Sequence, residues 1–156
     1  MIEEYRRQAE EMLKAWKGDT YTFGIDVLDA TGKYVAQCGK TALVFAGAYG
    51  SESKWIEPIV DKVLRSLEDA GVKVLGREPG ARPNAPREDV YRMALAVARY
   101  GPDCIVPIGG GSTIDAAKAA SVLNSLKSND VEPYFGVDQV AAHVEKEGAD
   151  LIPVVA

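Results

Sequence analysis

The sequence predicts an α/β fold in which a parallel β-sheet is covered by helices on both faces. Short apolar runs of strand length alternate along the chain with longer amphipathic segments, and this alternation is typical of parallel strands joined by crossover helices. Residues 41–46 form a continuous apolar run between glycines, which indicates a strand that is buried on both faces. A chain of 156 residues is long enough to bury one such core.

In the first half of the chain, apolar residues at helical spacing predict helices, and short apolar runs predict strands. Gly18 and Gly71 stand just past the ends of two of the predicted helices, which is a common stop signal. The predicted order is a helix at 3–16, a short strand at 21–23, a helix or helical turn at 25–38 interrupted at Gly32, a strand at 41–46, a helix at 53–70 and a strand at 72–75.

The second half repeats the alternation after a loop rich in glycine, proline and arginine. Gly101 and Pro102 end one predicted helix, and Pro107 argues against a fully hydrogen-bonded central position for its own backbone nitrogen. The predicted order is a loop at 76–87, a helix at 88–100, a strand at 104–108, a helix at 112–126, a helix at 137–147 and a strand at 151–155.

Composition argues against several classes of function. The formal net charge is −5, and a chain without a cluster of Lys and Arg is a poor nucleic-acid binder. No apolar run approaches the roughly 18 residues of a membrane span, and the charged N-terminus lacks the apolar core of a signal peptide. Cys38 and Cys104 have no C-x-x-C spacing. We therefore expect reduced, buried thiols in a cytoplasmic protein with no membrane partner.

The strongest chemical signal is the run of Gly109, Gly110, Gly111 and Ser112 between a predicted buried strand and a predicted helix. Three glycines remove every Cβ from this bend, so the backbone can touch a ligand or adopt positive φ. The helix that follows presents unpaired N–H groups and the positive end of its dipole. These features predict a site for a phosphate or pyrophosphate, and the alternative is a flexible turn without a ligand. Ser112 either caps the helix or donates its hydroxyl to a phosphate oxygen.

Two stronger nucleotide-binding templates do not fit this bend. It lacks the G-x-x-x-x-G-K-S/T pattern, which argues against ordinary P-loop chemistry. It also lacks the G-x-G-x-x-G pattern after the first strand, with an acidic residue about 20 positions further on.

A longer pattern around the bend resembles a known family. The string D-C-I-V-P-I-G-G-G-S-T-I-D-A-A-K, from Asp103 to Lys118, resembles the glycine motif of the iron-dependent (group III) alcohol dehydrogenases. The resemblance covers about residues 20–156 in the same order. Four further stretches carry it: Tyr21-Thr22-Phe23-Gly24 at the first strand of the family, residues 39–45 at its first nucleotide-binding strand, Pro83-Asn84-Ala85-Pro86 at its Asn-Pro loop with Ala85 inserted, and residues 132–136 after the glycine-motif helix.

The resemblance implies a Rossmann-like domain of the dehydroquinate synthase type at 20–156, preceded by an amphipathic helix at 1–19. Such a domain binds NAD or NADP. In the family, a helical C-terminal domain holds divalent iron or zinc through one Asp and three His, and the metal polarises the oxygen of a small alcohol or aldehyde. This sequence contains one histidine, His143. We therefore expect the metal-binding domain to be absent from this chain, with no metal ligand and no catalytic residue in it, and the chain alone to be inactive.

The resemblance also bears on the choice of coenzyme. NAD-preferring members carry an acidic residue at the end of the first nucleotide-binding strand, and the alignment places Gly47 there. Without that carboxylate, a 2′-phosphate meets no repulsion, and Ser51, Ser53 and Lys54 are near enough in sequence to contact it. We therefore expect NADP to be accepted and to be preferred over NAD. The alternative is that Gly47 merely ends a strand.

Three further residues have two interpretations each. The resemblance places Asp115 at the nicotinamide end of the cleft, but its position three residues after Ser112 is also that of a helix capping box. Asn84 either contacts the coenzyme or stabilises a turn. Lys118, one turn beyond Asp115, is interpreted as a local ion-pair partner rather than a phosphate ligand.

The predicted function is thus the NAD(P)-binding domain of an iron-dependent alcohol dehydrogenase, which in the complete enzyme converts an alcohol to an aldehyde or ketone. Two alternatives stay open, a stand-alone dinucleotide-binding module without catalysis and a relative of the glycerol dehydrogenase or dehydroquinate synthase type. A homodimer also stays open, because the N-terminal helix with Trp16 either covers a sheet edge or forms a dimer contact.

Overall fold

A three-stranded parallel sheet forms the centre of the computed structural model, which describes residues 1–50 and 54–156. The strands are β1 (Thr41–Ala48), β2 (Lys73–Gly80) and β3 (Cys104–Ile108), in the order β2-β1-β3. Six helices of the described residues accompany them: α1 (Ile2–Lys17), α2 (Thr31–Cys38), α3 (Glu57–Asp69), α4 (Arg87–Tyr100), α5 (Gly111–Ser125) and α6 (Gln139–Glu147). Both strand pairs are parallel, so the predicted α/β class is confirmed.

The central strand β1 shows why its sequence is apolar throughout. Side chains alternate between the two faces of a strand. Ala42, Val44 and Ala46 belong to a core with α2 and α3. Leu43 and Phe45 belong to a second core with α4 and α5. The predicted helices on both faces of the sheet are therefore confirmed.

Strand β2 extends further than the sequence indicates. Residues 76–80, predicted as loop, pair with β1 as far as Gly80. The segment contains glycine and proline, which are depleted in strands, so local propensity favours a loop. β2 lies at the edge of the sheet, where a proline such as Pro79 is tolerated. The long partner strand β1 therefore determines the conformation here.

Two smaller predictions of strands were wrong. Residues 21–23 form no strand in the structure. Residues 151–155 contribute a single bridge, in which the N–H of Ile105 donates to the carbonyl oxygen of Pro153 at 2.9 Å, and the N–H of Val155 donates to that of Ile105 at 3.0 Å. The bridge lies on the side of β3 opposite β1 and does not reach Pro107.

The predicted helix at 25–38 begins with a 3-10 turn at Leu28–Ala30 and continues as α2. Gly32 does not interrupt it. Gly32 lies where α2 crosses α3, its N–H donates to Ser66 Oγ at 2.9 Å, and a Cβ there would overlap the backbone of Ser66. The glycine therefore allows close packing of the two helices.

Both tryptophans of the chain lie exposed on its surface. Trp16 on α1 is 74% exposed and Trp55, just before α3, is 70% exposed. α1 has no buried residue. None of the helices in the described ranges is both long and apolar enough to cross a membrane.

Candidate functional site

The carboxyl ends of the three parallel strands meet at one edge of the sheet, which is the edge where ligands bind in open α/β folds. Gly47 lies near the end of β1, Gly80 ends β2 and Gly109 follows β3. These ends are in close proximity, since a Cβ on Gly80 would overlap the carbonyl oxygen of Gly47 and lie 2.6 Å from Thr113 Oγ1. The structure thus brings Gly47 and the glycine bend to the same edge.

The glycine bend of residues 109–111 leads directly into α5. Gly110 is the N-cap residue, and its carbonyl oxygen accepts hydrogen bonds from the N–H groups of Thr113 (3.0 Å) and Ile114 (3.2 Å). Positive φ, which the three glycines permit, is not used at any of them. A Cβ on Gly110 or Gly111 would meet no atom within 4 Å. Packing among the described residues therefore does not require glycine at positions 110 and 111, and the backbone of these two residues is uncovered.

Ser112 and Asn84 are brought together, although 28 positions separate them in sequence. The backbone N–H of Asn84 donates to Ser112 Oγ at 3.0 Å. The side chain of Ser112 does not cap α5. Because the hydroxyl accepts from Asn84, its own proton stays available for another acceptor. Asn84 and Ala85 have φ of 65° and 45°, so this loop turns sharply toward the bend.

Asp115 points into solvent from the second turn of α5. Its side chain is 72% exposed, and Lys118 Nζ lies 3.8 Å from Asp115 Oδ1. The local ion pair expected for Lys118 is therefore confirmed. The capping-box interpretation of Asp115 is wrong, because no side chain caps α5 and the helix begins at Gly111 rather than after Ser112.

Thr113 connects the loop after β2 to α5, a role that no sequence pattern indicates. Thr113 is 4% exposed, and its Oγ1 accepts a hydrogen bond from the N–H of Ala81 at 3.3 Å. A Cβ on Gly109 would lie only 3.1 Å from the same oxygen. Thr113 therefore fixes the distance between the glycine bend and the end of β2.

A buried carboxylate holds the loop that carries Asn84. Asp89 is 2% exposed, and its Oδ2 accepts hydrogen bonds from the backbone N–H (2.7 Å) and the Nε (3.0 Å) of Arg82. Burial alone would raise the pKa of Asp89, but the hydrogen bonds from Arg82 and the charges of Arg82 and Arg92 lower it overall. Asp89 is therefore held as a carboxylate beneath the loop.

Arg92 on α4 covers the end of β2. Its Nη1 donates to the carbonyl oxygen of Pro79 at 2.9 Å, and its Nη2 donates to that of Gly80 at 2.6 Å. The guanidinium also lies 4.6 Å from the ring centroid of Tyr49. Such contacts depend on tertiary packing, so no sequence signal could have identified them.

A cleft of about 610 Å³ opens between the ends of β1 and β2. Gly47, Lys54, Glu57 and Arg77 contribute to its lining. Gly47 has φ of +73°, a conformation that favours glycine, so this residue also has a structural reason to be glycine. Ser51, the other residue expected near a 2′-phosphate, lies outside the described residues, as does Ser53.

The donor groups of the described residues do not fit a divalent metal. Within residues 1–50 and 54–156, no group of three or more His, Cys, Asp or Glu is placed to hold an ion. His143 is partly buried on α6, where its Nδ1 lies 2.8 Å from the carbonyl oxygen of Gln139. Its ring packs edge-on against Tyr134 with 5.1 Å between centroids.

A sequence model of one protein family, described as "Iron-containing alcohol dehydrogenase", matches residues 19–156 of this chain. An NADPH-dependent butanol dehydrogenase of Clostridium saccharobutylicum is 42% identical over 81 residues, which cover 52% of this chain and 20% of that protein. A glycerol-1-phosphate dehydrogenase (NAD(P)+) of Saccharolobus islandicus is 31% identical over 107 residues, which cover 67% of this chain and 28% of that protein.

The chain is also similar in fold to solved structures. The crystal structure of an iron-containing alcohol dehydrogenase from Thermotoga maritima superposes with a TM-score of 0.65 and 25% identity, over 85% of this chain and 33% of that one. The chain spans between a fifth and a third of the length of these three proteins, and the family model spans most of the chain. The chain therefore belongs to the iron-containing alcohol dehydrogenase family.

Proposed function

We propose that residues 20–156 form the dinucleotide-binding domain of an NAD(P)-dependent alcohol dehydrogenase and that the glycine bend binds the pyrophosphate of the coenzyme. The observation that carries this proposal is the uncovered backbone at Gly110 and Gly111, at the carboxyl edge of the sheet and in front of α5. A helix N-terminus that also offers bare backbone N–H groups is a favourable anion site.

The side chain of Ser112 completes the proposed phosphate contacts. Ser112 donates its hydroxyl proton to a phosphate oxygen, while the N–H of Asn84 holds the hydroxyl oxygen in place. The dipole of α5 adds about 0.3–1 kcal/mol for an anion at this position. Asn84 closes one side of the bend, and Thr113 keeps the bend at a fixed distance from β2.

The bound coenzyme would supply hydride transfer, and this domain would supply binding and orientation. We propose that the complete enzyme oxidises an alcohol to an aldehyde or ketone with a metal in a second domain, and that this chain alone is inactive. Asp115, exposed on α5, is proposed to orient the nicotinamide end of the coenzyme.

We further propose that NADPH is accepted and preferred. Gly47 leaves the end of β1 without a carboxylate that would repel a 2′-phosphate, and Ser51 is proposed as an additional contact. The 42% identity with a butanol dehydrogenase named as NADPH-dependent supports this preference.

A second candidate substrate class is a phosphorylated polyol. The similarity to glycerol-1-phosphate dehydrogenases over 67% of the chain favours it. Assays of the complete enzyme with butanol and with glycerol 1-phosphate would distinguish the two classes, because only one should support reduction of the coenzyme.

Calorimetric titration of the chain with NADPH and NADH tests the proposal. We expect both coenzymes to bind, with NADPH tighter. Replacing Ser112 with Ala should weaken both by about tenfold, because a hydrogen bond to a charged phosphate is lost. Ser128→Ala is the matched control, since among the described residues the Ser128 hydroxyl bonds to the backbone of Asp130 and to no other residue. Absence of heat with either coenzyme would contradict the proposal.

A further inference from the structure

Four charged residues line the cleft between the ends of β1 and β2: Lys54, Glu57, Arg77 and Glu78. The Nη1 and Nη2 atoms of Arg77 each donate to one carboxylate oxygen of Glu57, at 2.7 Å in both cases. Glu57 is the first residue of α3, and Arg77 lies on β2. The pair therefore spans the cleft wall between a helix and a strand.

The charges of the residues that line the cleft balance in number, because Lys54 and Arg77 are positive and Glu57 and Glu78 are negative. Asp61 is a further carboxylate, close enough to raise the pKa of Arg77. The Glu78 carboxylate accepts a hydrogen bond from the Tyr100 hydroxyl at 3.2 Å, and Tyr100 packs in the core on the α4 and α5 side of the sheet. Among the described residues, Lys54 makes no ion pair of 4.0 Å or less.

Arg77 has binding capacity that the pair with Glu57 does not use. A guanidinium has five N–H donors, and the bidentate contact occupies two of them. Its side chain is 37% exposed, so the remaining donors can be reached from the cleft. The hydrogen bond with Glu57 raises the pKa of Arg77 and lowers that of Glu57, so both groups stay charged near neutral pH.

On the basis of the proposed function, we propose that Arg77, oriented by Glu57, binds the 2′-phosphate of NADPH and selects it over NADH. Gly47 lines the cleft. It stands at the position where, in NAD-preferring relatives, a carboxylate would accept hydrogen bonds from the ribose hydroxyls of NAD. A phosphomonoester dianion placed there meets the unused donors of Arg77 and the ammonium group of Lys54. Arg is suited to phosphate because its planar donors match the phosphate oxygens.

Adenosine 2′,5′-bisphosphate and AMP, titrated by calorimetry into the full chain, isolate the contribution of the 2′-phosphate. Replacing Arg77 with Gln should weaken binding of the bisphosphate by about tenfold or more, because a charge-assisted contact is lost, and should change AMP binding by less than about twofold. Glu57→Gln should tighten binding of the bisphosphate by about threefold, because a nearby negative charge is removed while the amide oxygen can still accept from Arg77.

Arg6→Gln is the matched control. It removes an arginine from another exposed Arg–Glu pair, with Glu10, on α1, and should leave both affinities unchanged. Exposed pairs contribute little to folding stability, so Arg77→Gln should retain the circular dichroism spectrum and the melting temperature of the unsubstituted chain.

The outcomes separate this inference from the proposed function. If the unsubstituted chain binds neither nucleotide, the proposed function is contradicted and the role of Arg77 is lost with it. If both nucleotides bind and Arg77→Gln weakens them equally or not at all, the role of Arg77 alone is contradicted. A loss confined to the bisphosphate, with the opposite change in Glu57→Gln, supports it.

Discussion

Replacing Gly111 with alanine should change stability and coenzyme binding in opposite directions. Gly111 is the first residue of α5, is exposed, and has open space where a Cβ would point, with no atom within 4 Å. Alanine in such a position stabilises a protein by about 0.4–1 kcal/mol, because the unfolded chain loses conformational freedom. For a chain of this size, that corresponds to a rise of roughly 1–4 °C in melting temperature.

The same methyl group should obstruct the coenzyme. If the pyrophosphate contacts the backbone at the bend, a Cβ occupies space that the phosphate oxygens need. Loss of one hydrogen bond to a charged group costs about 1.5–3 kcal/mol, so the NADPH affinity of Gly111→Ala should fall by roughly ten- to a hundredfold. A folding defect cannot produce this combination, because it would lower both quantities.

Thermal unfolding without coenzyme and calorimetric titration with NADPH measure the two effects. Leu95→Ala serves as the control, since Leu95 is 72% exposed on α4 and should change NADPH binding by less than about twofold, the range expected of a neutral surface substitution. A folded Gly111→Ala chain that binds NADPH as tightly as the unsubstituted chain would refute the reasoning about the glycine bend.

Two further substitutions and one labelling experiment test the packing of the protein around its sheet. Asp89→Asn should lower the free energy of unfolding in urea by about 2–4 kcal/mol, because the contacts with Arg82 lose a buried carboxylate. The pKa of Asp89 is lowered in the folded chain. Its contribution to stability should therefore be complete above the ordinary Asp pKa of about 4 and be lost as the pH falls through the folded value. The free energies of unfolding of the unsubstituted chain and of Asp89→Asn, followed by circular dichroism, should converge over that pH range. Burial, with a smaller contribution from Cys38, raises the pKa of Cys104 to about 12, so a thiol reagent at pH 8 should modify Cys104 only after unfolding, and rapid labelling detected by mass spectrometry would contradict this. Thr113→Val leaves the N–H of Ala81 without its acceptor and should cost about 1–2 kcal/mol in urea unfolding, whereas an unchanged midpoint would exclude the structural role of Thr113.

The sequence predicts the parts of this fold that depend on local pattern. Strand β1 is apolar throughout because Leu43 and Val44 face different cores, and the spacing that predicts α3 reflects one buried stripe on that helix, which includes Val63 and Leu67. The position of the glycine bend, between β3 and α5, was also predictable, because a run of three glycines marks a break between regular elements.

The parts that could not be predicted depend on contacts between distant segments. β2 continues to Gly80 because β1 supplies hydrogen-bonding partners, which the strand propensities of residues 76–80 do not take into account. Thr113 and Ala81 are 32 positions apart, and Arg77 and Glu57 are 20 apart. Their pairing follows from the order of strands in the sheet, which the sequence pattern left undetermined. Residues 21–23 have β-prone side chains but form no strand.

Backbone amide chemical shifts provide the most direct test of the glycine bend as the pyrophosphate site. In a 15N–1H NMR titration of the chain with NADPH, the largest shifts should occur at Gly110, Gly111 and Ser112, and inorganic pyrophosphate at high concentration should shift the same amides in the same direction. Coenzyme-induced shifts that leave these three amides unchanged, or the absence of any shift on saturation with NADPH, would contradict the proposed binding site.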